Sequence, residues 1–105
     1  MRIPFDQGTP APLRHALTGH SISTAYEMDW TQLNDGSLLR AAEAQFDVLI
    51  TTDRNLRYQQ NIRGLRLAIV VLPTTSWLII RLHAADVAAT VVTLRPGDIV
   101  ELQFS

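Results

Sequence analysis

Two uninterrupted runs of apolar and β-branched residues constrain the fold of this chain more than any other feature. Residues 48–52 read Val-Leu-Ile-Thr-Thr, and residues 67–72 read Leu-Ala-Ile-Val-Val-Leu. Neither run shows the polar alternation of a strand that faces water on one side. Continuous runs of this length are typical of strands that are buried on both faces of a parallel sheet. Since parallel strands need crossover connections, which are usually helices, the two runs predict an α/β fold.

The rest of the chain supplies further elements in the alternation that a parallel sheet needs. We predict additional strands and helices from β-branched content, helical spacing of apolar residues and turn signals. The strands are expected at 2–6, 21–25 and 99–104, and the helices at about 10–17, 34–46, 55–62 and 76–94. This order indicates a three-layer α/β/α sandwich with a mainly parallel sheet and right-handed crossovers. A length of 105 residues fits a single domain over residues 1–105.

Composition excludes several classes of function. The chain has no cysteine, which excludes a disulfide scaffold, a thiolate metal site and a cysteine nucleophile. All nine basic residues are arginine, so a catalytic lysine is excluded. The net charge of -1 argues against a strongly basic nucleic-acid clamp or a polybasic membrane anchor. The start of the chain reaches Asp6 before any apolar region, and charged residues interrupt segment 77–94, so we expect a cytoplasmic protein without a membrane span.

Three carboxylates fall where a parallel sheet gathers its ligands. Asp6 ends the first strand, Asp53 follows the buried run 48–52, and Asp35 opens the helix that leads into that run. Ligands of such sheets bind at the carboxyl ends of the strands. Converging carboxylates stay ionised together only beside a cation, and hard oxygen ligands suit Mg²⁺ or Mn²⁺. A cation of this kind activates water for phosphodiester hydrolysis.

A structural explanation of the same three acids stays open at this point. Asp35 and Asp53 are equally well placed to cap the helices that follow them, and Asp6 to form a turn. Whether Asp35 reaches the other two depends on how the loop 26–34 folds back, which the sequence does not determine.

The segment after Asp53 carries groups that bind nucleic acid. Arg54 and Arg57 are suited to phosphates, Asn55 to base edges and Tyr58 to stacking on a base. A polar helical stripe that is merely solvated is the alternative explanation of these residues.

Several segments together resemble the small PIN-like domain proteins of bacteria, which are candidate toxin components of toxin–antitoxin modules. The resemblance covers about residues 1 to 78 and rests on five segments, which read FDQGTPAPLR, TAYEMDW, NDGSLLRAAE, FDVLITTDRNLRYQQN and IVVL. The first and the fourth of these segments are its most specific parts.

The resemblance implies a PIN-like α/β/α sandwich and, by wider analogy, a Mg²⁺- or Mn²⁺-dependent ribonuclease with RNA as substrate and an antitoxin protein as partner. Asp6 matches the first-strand acid of PIN domains, and Asp53 matches the acid of the T-x-D sequence. Asp35 matches the acid that opens the central helix in many PIN-like relatives.

The chain departs from the usual PIN pattern in ways that favour a second hypothesis. PIN nucleases usually bring four acids; here Asn55 stands near the expected position of the fourth, and Gln7 stands where many relatives carry Glu. A site with fewer charges binds hard cations more weakly. A PIN-like domain without catalysis, which uses its apolar segment 77–92 to bind a protein partner or a second copy of itself, is therefore the alternative.

Overall fold

The computed structural model describes residues 1–33, 35–58 and 64–104. Its described part contains strands β1 (Arg2–Phe5), β2 (Ser21–Thr24), β3 (Val48–Thr51), β4 (Ala68–Val71) and β5 (Ile99–Glu101). The helices are α1 (Asp35–Gln45), α2 (Trp77–Ile80) and α3 (Ala84–Val91), together with 3₁₀ helices at Ala11–Ala16, Arg54–Tyr58 and Arg81–His83. The predicted α/β class is confirmed.

The five strands of the described chain form one sheet in which every neighbouring pair is parallel. Their order is β2-β1-β3-β4-β5, with Phe5 of β1 opposite Ile50 of β3 and Ile50 opposite Val70 of β4. From β1 the chain first adds β2 on one side and then continues with β3, β4 and β5 on the other. The strand order therefore reverses between β1 and β3, which is a topological switch point.

Buried side chains cover both faces of this sheet. In β3, Val48 and Ile50 belong to one apolar cluster and Leu49 to another, since successive side chains of a strand point to opposite faces. The first cluster is completed by residues of the first 3₁₀ helix, α2 and α3, and the second by residues of α1 and the second 3₁₀ helix. The burial of both faces that the two apolar runs predicted is confirmed.

Several predicted elements are shorter or of a different type. The predicted helix 10–17 is a 3₁₀ helix over Ala11–Ala16. The last strand ends at Glu101, although Leu102 still donates its N–H to the Val71 carbonyl at 2.9 Å. The predicted helix over 76–94 is divided into α2 and α3 by the 3₁₀ turn at Arg81–His83. No glycine or proline occurs in 77–91, so the division does not come from a helix-breaking residue.

Two further expectations meet the structure only in part. Residues 55–58 of the predicted helix 55–62 belong to the 3₁₀ helix Arg54–Tyr58, while residues 59–62 lie outside the described residues. Across the described ranges, no helix has the length and apolarity needed to cross a membrane.

Candidate functional site

Asp6 lies directly after β1, at the carboxyl end of the strand, where two donors fix its carboxylate. The Thr51 hydroxyl donates to Oδ2 at 2.7 Å, and the N–H of Gln7 donates to Oδ1 at 2.7 Å. The N–H of Asp6 itself donates to the carbonyl of Ile50 at 2.9 Å, which ties the residue to β3. The carbonyl of Asp6 accepts the N–H of Thr9 at 2.9 Å, so the predicted turn at Asp6 is confirmed.

Asp53 lies two residues beyond β3 at the same edge of the sheet. Its N–H donates to Thr51 Oγ1 at 3.1 Å. Its Oδ1 accepts the N–H of Asn55 at 3.0 Å, and its carbonyl accepts the N–H of Leu56 at 3.2 Å. These bonds begin the 3₁₀ helix, so the capping interpretation of Asp53 is confirmed. Capping uses only one oxygen of its carboxylate.

The hydroxyl of Thr51 connects the two acids. It donates to Asp6 at 2.7 Å and accepts from the N–H of Asp53 at 3.1 Å, so the Asp6 oxygen lies within about 6 Å of the Asp53 nitrogen. Thr51 is fully buried. Sequence reasoning placed this residue in the strand and missed its role, although a polar residue at the end of a buried apolar run was the available signal.

The location of this group follows from the sheet topology. Asp6 follows β1 and Asp53 follows β3, and these are the two strands between which the order reverses. At such a point the connections leave the sheet in opposite directions, and the crevice between them is where ligands of open α/β sheets bind. The prediction that the chain brings Asp6 and Asp53 to one edge agrees with this arrangement.

The other predicted site residues are described to different extents. Asp35 is the first residue of α1, and Arg57 and Tyr58 belong to the second 3₁₀ helix, but the side chains of these three lie outside the description. Arg54 and Asn55 are both exposed. The guanidinium of Arg54 donates to the carbonyl of Pro73 at 2.7 Å. It therefore lies towards the carboxyl end of β4, where it borders a cleft of about 170 Å³.

A larger cleft of about 530 Å³ lies beside Asp6 between the carboxyl ends of β1 and β2, on the side of Asp6 away from β3. Its lining residues are Asp6, Gln7, Thr9, Ala11, Arg14, Thr24, Ala25, Tyr26, Glu27 and Thr31. No sequence signal pointed to this cleft, because it depends on how the residues after β2 fold back over the first 3₁₀ helix.

An ion pair between Arg14 and Glu27 forms one wall of the large cleft. Arg14 Nη2 donates to Glu27 Oε1 at 2.9 Å and to the carbonyl of Ile22 at 3.0 Å. The Arg14 hydrogen bond, followed by one from the N–H of Thr24, lowers the pKa of Glu27 from its ordinary value of 4.5 to about 2. Glu27 is therefore ionised throughout the neutral range and its charge is matched by Arg14.

Asp6 and Asp53 are two acids that the described part of the sheet brings to its switch point. In the described ranges, no group of three or more His, Cys, Asp or Glu side chains could hold a metal. Mg²⁺, however, usually keeps several waters and is bound through one or two carboxylates together with substrate phosphates. Thr51 joins the Asp6 carboxylate to the backbone N–H of Asp53 and not to its carboxylate, so the binding of a cation by both acids stays a prediction, as does the part of Asp35.

Comparison with known proteins adds no relative to this picture. No family model, curated protein or solved structure was found to match the chain. The function of the site therefore has to be inferred from its own geometry and chemistry.

Proposed function

We propose that this chain is a Mg²⁺- or Mn²⁺-dependent ribonuclease with a PIN-like three-layer fold and that it acts as the toxin of a toxin–antitoxin module. One observation supports the proposal most strongly: Asp6 and Asp53 follow neighbouring parallel strands at the topological switch point and are joined through Thr51. Open α/β sheets bind their ligands at this position.

In this proposal Asp6 and Asp53 bind the cation, and Asp35 binds it or orients its water. A divalent cation at this place supplies an activated water and neutralises the charge that develops on a phosphodiester. In the hydrolysis that this site would carry out, the water would lose a proton to solvent as its oxygen bonds to phosphorus, and the leaving oxygen would take up a proton as its own bond to phosphorus breaks. Thr51 acts as a positioning residue, since its hydroxyl holds one oxygen of Asp6 in place.

Substrate contacts are proposed for the second 3₁₀ helix. Arg54 and Arg57 contact phosphates of the RNA, Asn55 contacts a base edge and Tyr58 stacks on a base. The hydrogen bond of Arg54 to the Pro73 carbonyl is compatible with this role, because a guanidinium has five N–H donors.

Cleavage of a mixed, labelled RNA pool by the purified protein tests the proposal. We expect cleavage with Mn²⁺, no cleavage in EDTA and no cleavage by Asp6→Asn, which removes a charged ligand and keeps the side-chain shape. Cleavage by Asp6→Asn at the rate of the native protein would contradict the proposed site.

A specific observation favours a second candidate, a PIN-like domain that has no catalytic activity and binds a protein. Leu78 of α2 and Leu82 of the following 3₁₀ turn are 69% and 73% exposed, and they are four residues apart. Residues at this spacing share one helix face. An antitoxin or a second copy of the chain in a homodimer is the partner that this hypothesis requires.

Sedimentation together with Mn²⁺ titration separates the two candidates. If the chain is a binding module, it self-associates or co-purifies with the product of a neighbouring gene. Leu78→Ser and Leu82→Ser are then expected to abolish this association. The same hypothesis predicts no Mn²⁺ binding at millimolar concentration. A monomer with a saturable Mn²⁺ site would favour the ribonuclease.

A further inference from the structure

The outer edge of β2 carries backbone groups that do not point towards β1. Within the described sheet, β2 lies at one end and has β1 as its single neighbour. The N–H of Ala25, directly after β2, donates to the Phe5 carbonyl of β1 at 2.9 Å. Because successive residues of a strand direct their N–H and C=O groups to opposite sides, those of Ile22 and Thr24 face away from β1. A row of such groups is a template on which a further strand can pair.

Groups of the same molecule occupy most of this edge. Arg14 Nη2 donates to the Ile22 carbonyl at 3.0 Å, and the N–H of Thr24 donates to Glu27 Oε1 at 2.8 Å. The side chains of Arg14 and Glu27 are joined to each other at 2.9 Å. The Thr24 carbonyl accepts the N–H of Met28 at 3.1 Å. Three of the four outward-facing groups of Ile22 and Thr24 therefore have partners within the described residues.

The ion pair has the hydrogen-bonding pattern of one residue in a further parallel strand. Such a residue, opposite Ser23, would donate its N–H to the Ile22 carbonyl and accept the N–H of Thr24 with its own carbonyl. The guanidinium of Arg14 supplies this donor, and the carboxylate of Glu27 supplies this acceptor. The ion pair therefore lies where the next strand of the sheet would be.

The placement of the two charges is informative in addition to their mutual attraction. Each member of the pair also contacts a backbone group of the strand edge. The side chains of Arg14 and Glu27 are 32% and 48% exposed, so they stand at the surface where another chain would approach β2. Charged side chains on edge strands are a common means by which proteins prevent pairing with other chains.

We propose that the Arg14–Glu27 ion pair closes the outer edge of β2 against a second copy of this chain. A second copy fits the opened edge because two identical edges can pair about a two-fold axis, each supplying the same groups. About an axis perpendicular to the sheet, the two β2 strands run antiparallel. Ile22 of each copy then exchanges both hydrogen bonds with Thr24 of the other, and the two Ser23 residues face each other across the axis. This inference does not depend on the proposed ribonuclease function.

Sedimentation equilibrium of a double variant tests the proposal. Arg14→Ala together with Glu27→Ala removes one positive and one negative charge, so the net charge of the chain stays at -1. We expect the weight-average mass of this variant to rise with concentration towards about twice that of the native protein. Glu43→Ala together with Arg66→Ala is the matched control. It is also neutral in charge and removes a carboxylate that accepts a backbone N–H, that of Arg66 at 2.9 Å, and it is expected to keep the native mass.

Disulfide cross-linking locates the contact at the β2 edge. The chain has no cysteine, so an introduced one is unique. In the antiparallel pair the Cα atoms of the two Ser23 residues lie about 4.5 Å apart, within the range that a disulfide spans. Ser23→Cys in the double variant is therefore expected to form a covalent dimer on oxidation. Ser21→Cys in the double variant, on the same face of β2 but opposite Ala25 of the second copy, and Ser23→Cys in the chain with its ion pair intact are expected to form none.

Arg14→Ala alone keeps the outcome decisive if the double variant does not fold. It frees the Ile22 carbonyl, keeps the bond between Glu27 and Thr24, and is expected to give the same Ser23→Cys cross-link at higher protein concentration. A folded variant that stays at the native mass and forms no such cross-link overturns the proposal. Equal association of the control with Glu43 and Arg66 replaced, or equal cross-linking through Ser21→Cys, also overturns it, because the contact would then not be specific to the opened edge.

Discussion

At the scale of single residues, the site depends on one buried hydroxyl. Thr51 satisfies a carboxylate oxygen of Asp6 and the N–H of Asp53 with the same oxygen atom. Because Thr51 ends the central strand of the sheet and is fully buried, packing restricts its rotamer, and its hydroxyl helps to hold both acids in place.

The substitution Asp53→Asn is expected to reduce Mn²⁺-dependent RNA cleavage by more than about 100-fold, since even the partners of metal ligands typically contribute 10- to 100-fold. Asparagine still accepts the N–H of Asn55, so the free energy of unfolding is expected to change by less than about 0.5 kcal/mol. Initial cleavage rates and urea denaturation measure the two effects.

A matched control for this variant is available at the opposite edge of the sheet. Asp47 also accepts a backbone N–H, that of Arg2, at 2.8 Å. Asp47→Asn is expected to cleave RNA at the native rate. If Asp47→Asn and Asp53→Asn reduced the RNA cleavage rate equally, the loss of cleavage would not be specific to the switch point.

Thr51→Val keeps the shape of the side chain and removes the shared hydroxyl. We expect it to lower the free energy of unfolding by about 1–3 kcal/mol, because a buried hydrogen-bond partner is lost. Cleavage should fall by about 10- to 100-fold as Asp6 loses its orientation. Thr51→Ser restores the hydroxyl and should restore most of the cleavage rate although it loses a methyl group. A Val variant with the native cleavage rate would show that Thr51 has no positioning role.

At the scale of elements, the sequence predicted the strands correctly where a run of apolar residues coincides with a buried strand. The runs 48–52 and 67–72 correctly predicted β3 and β4, and the acids at strand ends correctly predicted that Asp6 and Asp53 share an edge. No local sequence pattern predicted the division of helix 76–94 or the ion pair of Arg14 and Glu27 in the cleft wall. The ion pair joins two elements that are separated along the chain, and periodicity does not report such contacts.

The turn before β5 gives a prediction about element geometry. Gly97 has φ of +87°, and a Cβ at this position would lie 3.2 Å from the backbone oxygen of Leu65. Gly19 has a similar φ of +84° with nothing within 4 Å of that position. We expect Gly97→Ala to be more destabilising than Gly19→Ala, which bears only the backbone strain of about 1–2 kcal/mol. Thermal or urea denaturation measures the stability of the two variants. Equal losses of unfolding free energy in both would contradict the tight contact at Leu65.

The turn after β2 gives a prediction about pH. The pKa of Glu27 in the folded protein is about 2, below its ordinary value of 4.5, so the ionised form stabilises the folded state. This stabilisation is fully present above about pH 4.5 and is lost as the pH falls towards 2. Glu27→Gln is therefore expected to show a smaller drop in urea midpoint between pH 6 and pH 3 than the native protein. An identical drop in both proteins would show that the Arg14 bond does not favour the ionised carboxylate.

At the scale of the whole molecule, the strand order decides where chemistry is possible. Only the pairing of β1 with β3 brings the end of the first strand beside the end of the third, and the sequence alone does not specify this order. The same arrangement places the large cleft next to Asp6.

The measurement that tests the central claim most directly is a Mn²⁺ titration followed by electron paramagnetic resonance. We predict a saturable site in the native protein that is lost in Asp6→Asn and in Asp53→Asn and is retained in Asp47→Asn. A native protein without a saturable site, or Asp6→Asn and Asp53→Asn variants that bind Mn²⁺ as tightly as the native chain, would contradict the claim that the two acids at the switch point hold a cation.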